Sequence, residues 1–178
     1  MGSFQKLFVQ AKGNSISFKG KELYLVDKFP IQNGCVIECI LEHATVKPKM
    51  TQGFCIDVTG YVELNGKIIK KGKGIRLNFW ENDPINKIKI KVFTKSDSII
   101  IYNICELETS YLVADDFGNP ITRHNKTITH WIGGAAMIVE EIEGGRRYRC
   151  SDTSSAEKPF PFNDIVFTIR KADSTSLI

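Results

Sequence analysis

Polar and apolar residues alternate most cleanly at Lys87 to Val92, where Lys87, Lys89 and Lys91 take one side and Ile88, Ile90 and Val92 the other. A period of two marks a strand with one buried face. The segment Tyr61 to Ile69 adds a hairpin signal, because Asn65-Gly66 accepts the positive φ values of a two-residue type I′ turn and sets Val62 opposite Ile69. Short β-branched or aromatic runs predict further strands at Lys6 to Ala11, Ser15 to Phe18, Glu22 to Val26, Cys35 to Leu41, Phe54 to Leu64 and Lys67 to Trp80. Four more follow at Ser98 to Cys105, Ala135 to Ile142, Arg146 to Cys150 and Ile165 to Arg170, separated by Gly, Asn, Asp or Pro. One segment is ambiguous: Ile104, Leu107, Tyr111 and Leu112 have helical spacing, so Cys105 to Ala114 competes as a short helix. Asp116 to Thr129 and Ser151 to Pro161 read as polar loops.

This pattern predicts an all-β fold, a single-domain antiparallel β-sandwich of jelly-roll or flattened-barrel type with at most one or two short helices. The domain is expected to span 1–172, with 173–178 as a disordered tail. A chain of 178 residues is long enough to bury a core without staples. Five cysteines at scattered spacing (Cys35, Cys39, Cys55, Cys105, Cys150) predict reduced thiols and a cytoplasmic protein. No run reaches the length of a membrane span. Gly2 is present, but Lys6 stands where the myristoylation pattern needs Ser or Thr.

Charge is divided unevenly. Residues 1–100 carry 16 basic and 9 acidic side chains, residues 101–178 carry 8 and 11, so a net charge of +4 conceals halves of +7 and −3. The stripe Lys67 to Lys95 holds nine basic residues against Glu81 and Asp83, a local field that favours anionic partners. With Phe79 and Phe93 expected to face inward, the stripe lacks the exposed aromatics of single-strand binders. Nucleic acid is therefore not the expected partner, and a solvated, aggregation-resistant edge explains the lysines.

The richest block runs from Trp131 to Arg170. Glu140, Glu141 and Glu143 precede a Gly144-Gly145 turn and Arg146, Arg147 and Arg149 follow it, so opposite charges face each other across a hairpin. Either these pairs fix the register, or Arg147 and Arg149 present a bidentate grip for a carboxylate or phosphate. Trp131 opens the small-residue run Gly133-Gly134-Ala135-Ala136, where a ring, a backbone or a ligand can approach closely. The candidate ligand-binding residues are Arg147, Arg149, Glu140, Trp131 and His130.

No catalytic constellation has diagnostic spacing. Asp115, Asp116, Phe117 and Gly118 read as a turn, since none of the other kinase signatures accompanies the Asp-Phe-Gly tripeptide. His124 and His130 lack the paired cysteines of a zinc site, and no cofactor is expected. Asp152, Glu157, Asn163 and Asp164 leave calcium open, the alternative being that Asp164 accepts backbone N–H bonds at a strand entrance. These residues predict a non-catalytic binding module that recognises a glycan, a protein or another anionic ligand through its loops or a charged sheet face. The alternatives are an inhibitor or antidote-type protein that blocks a partner, and a small enzyme with a pocket around His130, Cys150 and Asp152.

Overall fold

The computed structural model describes residues 4–154 and 162–172, so the tail at 173–178 and most of the loop with Glu157 lie outside the described residues. The chain opens with the helix α1 (Phe4–Gln10), where a strand was expected. Phe4 and Phe8, one turn apart, are both buried, and so short a run fits either period until its partner surface is known. Then come β1 (Ile16–Phe18), β2 (Lys21–Leu23), β3 (Asp27–Pro30), β4 (Cys35–Ala44) and β5 (Met50–Val58). These are followed by β6 (Gly60–Leu64), β7 (Lys67–Ile69), β8 (Ile75–Trp80), β9 (Lys87–Thr94) and β10 (Ser98–Ala114). The last are β11 (Pro120–Thr129), β12 (Ala136–Ile142), β13 (Gly145–Ser151) and β14 (Ile165–Ala172).

Two antiparallel sheets carry the fold, one of order β12-β13-β14-β4-β9-β6-β7, the other of order β11-β10-β5-β8 with β3 also paired to β10. Neither closes on itself, which removes the flattened barrel and leaves the sandwich. Between them lies a row of stacked rings: Phe79 on Phe54 at 4.9 Å, Phe54 on Phe167 at 4.0 Å, and Phe167 on Tyr148 at 4.8 Å. Ile37, Ile56, Ile90, Val92, Ile99 and Ile101 fill the rest of this core. A smaller cluster forms where Phe4, Phe8, Leu23 and Phe162 cover Ala136. The approach that small residues permit is thus made by the protein's own N-terminal rings.

The Asn65-Gly66 hairpin forms as expected, with φ of 50° and 77° and Val62 opposite Ile69. Phe54 to Leu64 does not run as one strand. It breaks before Gly60, whose φ of 146° only glycine adopts readily and where a side chain would collide with the Phe93 carbonyl, so β5 and β6 enter different sheets. Lys67 to Trp80 is likewise divided between the two sheets. The helix competing at Cys105 to Ala114 is absent: β10 stays extended to Ala114, and β11 replaces the expected loop by pairing with it from Cys105↔Thr129 to Ala114↔Pro120. Phe79 points inward beside Phe54, but Phe93 does not. It stands opposite Tyr61 on the outer face of the seven-stranded sheet, one residue out of phase with buried Val92.

Candidate functional site

Alternation along β8 places Arg76, Asn78 and Trp80 on one face and Ile75, Leu77 and Phe79 on the core side. The ladders extend this outer face into rows: Ile100, Asp57 and Arg76; then Tyr102, Cys55 and Asn78; then Ile104, Gly53 and Trp80. A Cβ at Gly53 would meet the Phe79 carbonyl oxygen at 2.5 Å and Trp80 Cε3 at 2.6 Å, so glycine is needed for both the neighbouring backbone and the indole. Asp57 binds Arg76 through both oxygens, at 2.7 and 3.2 Å, and also accepts the Tyr102 hydroxyl at 3.2 Å and the Cys55 thiol at 3.4 Å. Its acceptor sites are filled, so its role is to aim the guanidinium. Arg76 keeps further N–H groups facing solvent, with a side chain 55% exposed, and its pKa is raised first by the bond to Asp57. Asp57, Arg76 and Ile100 line a cavity of about 410 Å³ that Thr59, Ser96 and Ser98 complete.

His130 and Trp131 close over the Tyr102 ring at centroid distances of 5.4 and 4.9 Å, and lie 4.4 Å from each other. Tyr102 is fully covered, and its hydroxyl is pushed well above the usual tyrosine range, chiefly by burial. Burial, then the nearby Arg76 charge, lowers the pKa of His130, and its Nδ1 is a buried nitrogen with no hydrogen-bond partner. Trp131 has φ of 60°, a conformation that costs a bulky residue about 1–3 kcal/mol. The fold holds this strain while leaving the indole 36% exposed against Tyr102, whose ring centroid lies 5.9 Å from Arg76 Cζ. The result is a patch of aromatic faces next to hydrogen-bond donors.

The other expected residues do not join this patch. Tyr148 faces the core, so Arg147 and Arg149 alternate onto the outer face of the opposite sheet, together with Glu140. There Arg147 binds Glu42 at 3.1 Å and lies 3.9 Å from Glu140, and Arg149 binds Glu140 at 2.8 Å. The carboxylates such a grip would take are supplied by the chain itself. The hairpin register, Glu140↔Arg147 and Glu141↔Arg146, fits the structural reading. Arg146 turns inward to Asp27 at 2.9 Å, a partner outside the hairpin.

Around His130, Cys150 and Asp152, the bond between Thr129 Oγ1 and Thr153 Oγ1 at 3.3 Å brings the two segments together, but the thiol is enclosed. Cys150 is fully buried and burial raises its thiol pKa well above the ordinary value. Asp152 receives Lys47 Nζ at 2.6 Å and Gln52 Nε2 at 2.7 Å, while Lys47 also lies 2.9 Å from Asp164 Oδ1. An ammonium thus occupies the space between the two carboxylates proposed for calcium. Asp164 Oδ2 accepts the Asp152 backbone N–H at 2.9 Å, the role the strand-entrance reading gave it. Among the described residues no group of three His, Cys, Asp or Glu side chains is placed to hold a metal.

Asp57, Arg76 and Tyr102 were not singled out from sequence. The signal was present in Ile75 to Trp80, where Arg76, Asn78 and Trp80 alternate on what becomes the outer face. No family model, curated protein or solved structure matches the chain.

Proposed function

We propose that this β-sandwich is a non-catalytic binding module that takes a glycan on the outer face of its five-stranded sheet. The observation that carries this reading is the partly exposed Trp131 indole, held at positive φ against Tyr102, whose ring the Asp57-oriented Arg76 guanidinium also approaches. A sugar ring offers an apolar C–H face and a rim of oxygens. Trp131 supplies flat apolar surface for the first, and Arg76, Asn78 and the hydroxyls of Ser96 and Ser98 supply partners for the second. The Asp57–Arg76 pair is formed before any ligand arrives, so little ordering is required on binding.

An oligosaccharide array identifies the sugar, and calorimetric titration with the best-retained oligosaccharide tests the site. Trp131→Ala and Arg76→Ala are each expected to weaken binding by about tenfold or more, the loss of roughly 1.4 kcal/mol, with melting temperatures showing that both variants fold. Failure of the unmodified protein to retain any oligosaccharide, or equal affinity in the Trp131→Ala protein, overturns the reading.

A further inference from the structure

We propose a second binding site on the opposite side of the sandwich, for single-stranded nucleic acid, built on Tyr61 and Phe93 and the lysines around them. The two rings face each other across β6 and β9 with centroids 4.8 Å apart and planes 17° apart. They border a cavity of about 670 Å³, whose rim includes Lys70, Lys73 and Lys95. Among the described residues no carboxylate lies within 4.0 Å of Lys70, Lys73, Lys91 or Lys95. This separates the patch from Arg147 and Arg149, whose charges are met by Glu42 and Glu140. Unneutralised cations gathered on one face complement a polyanion.

Two features favour nucleic acid over a polyanion without bases. The outward residues of β9 continue from Phe93 through Lys91, Lys89 and Lys87, at a strand repeat of about 6.7 Å. A second cavity of about 440 Å³ lies along that row, lined by Glu63 as well as the lysines, and Lys87 pairs with Glu38 at 3.5 Å, so the row adds an extended path beside the Lys70, Lys73 and Lys95 cluster and not further free cations. Aromatic rings accompany the charge: Lys70 Nζ lies 5.3 Å from the Tyr61 ring centroid and Lys91 Nζ 5.4 Å from that of Phe93. Exposed cation–π contacts are weak. A phosphate draws each ammonium off its ring and frees the aromatic face for a base, as in stacking platforms for single strands. The edge role that the lysines had in the sequence does not account for rings placed among them.

Fluorescence anisotropy with a labelled oligouridylate of about 12 nucleotides, a length suited to one such domain, tests the proposal across a salt series. Binding is expected to weaken with salt, and the combined Lys70→Glu, Lys73→Glu and Lys95→Glu variant to lose about tenfold or more in affinity and show a shallower salt slope. Tyr61→Ala with Phe93→Ala is expected to weaken the oligonucleotide while leaving heparin, a polyanion without bases, bound as before. Trp131→Ala leaves oligonucleotide binding unchanged, so this site and the glycan site fail or stand independently. No binding at low salt, or affinity unaffected by the lysine variant, overturns the site. Equal loss of heparin and oligonucleotide on removal of the rings, or no loss of either, overturns the nucleic-acid assignment.

Discussion

Asp27 links the two sheets through a buried polar cluster. Its carboxylate is 8% exposed and accepts Arg146 Nη1 at 3.0 and 2.9 Å and the Tyr148 hydroxyl at 2.6 Å. Removing it leaves the buried Tyr148 hydroxyl without its acceptor and takes from Arg146 its buried carboxylate, leaving the guanidinium only Glu141 and the Lys28 carbonyl. Asp27→Ala is therefore expected to destabilise the fold by about 3–5 kcal/mol, read by urea unfolding. Glu140→Ala, which breaks the more exposed bridge to Arg149, is expected to cost about 1 kcal/mol or less. Equal effects would refute this ranking. Asp27 could not be chosen from the sequence because its partners lie 119 and 121 residues away. The hairpin acids, close to their arginines in the chain, were legible for the opposite reason. Trp131 and His130 were legible as residue types, but their neighbours Tyr102, Asp57 and Arg76 come together only through the ladders of β5, β8 and β10.

At the scale of elements, β10 changes character along its length. Ile99, Ile101, Tyr102 and Ile104 are buried between β3, β5 and the core, while pairing with β5 ends at Leu107↔Met50. Beyond the bond from Glu108 N–H to the Lys49 carbonyl, Thr109–Ala114 pairs, among the described residues, with β11 alone, and both strands are exposed there apart from half-buried Val113. Asp115 closes this arm by accepting the N–H groups of Phe117 and Asn119 at 2.9 and 2.7 Å. Two-stranded ribbons without a packed face are marginally stable. Hydrogen exchange is expected to show the amides of Ser110 to Ala114 opening locally, while those of Ile99 to Ile104 exchange only on global unfolding. Uniform protection along β10 would contradict that division. The sequence showed a strand only as far as Cys105 because alternation reports burial, and this arm has none to report. The same dependence hid the breaks before Gly60 and after Ile69, since β-prone residues on either side look alike whichever sheet receives them.

At the scale of the whole molecule, stability depends on pH through His130, Asp152 and Lys47. His130 has its pKa lowered from 6.5 by burial and by Arg76, so on acidification the unfolded chain takes up the proton first. Stability then falls as pH drops below about 6.5 and continues to fall until the folded-state pKa is passed. Burial alone would raise Asp152, but the bonds from Lys47, Ser154 and Gln52 more than offset it and leave its pKa below 3.8. Its contribution is present above 3.8 and is lost as pH falls through the folded value. Lys47 runs the other way: burial lowers it, yet Asp152 and Asp164 raise it above 10.5, so its contribution is complete below 10.5 and lost at higher pH. These three groups give greatest stability between about 6.5 and 10.5. Urea unfolding of the His130→Gln protein at a series of pH values is expected to flatten the slope just below 6.5 while keeping the loss below 3.8 to which Asp152 contributes. An unchanged slope below 6.5 would show that the imidazole under Trp131 protonates as readily in the fold as out of it. That result would contradict the burial that also orphans its Nδ1.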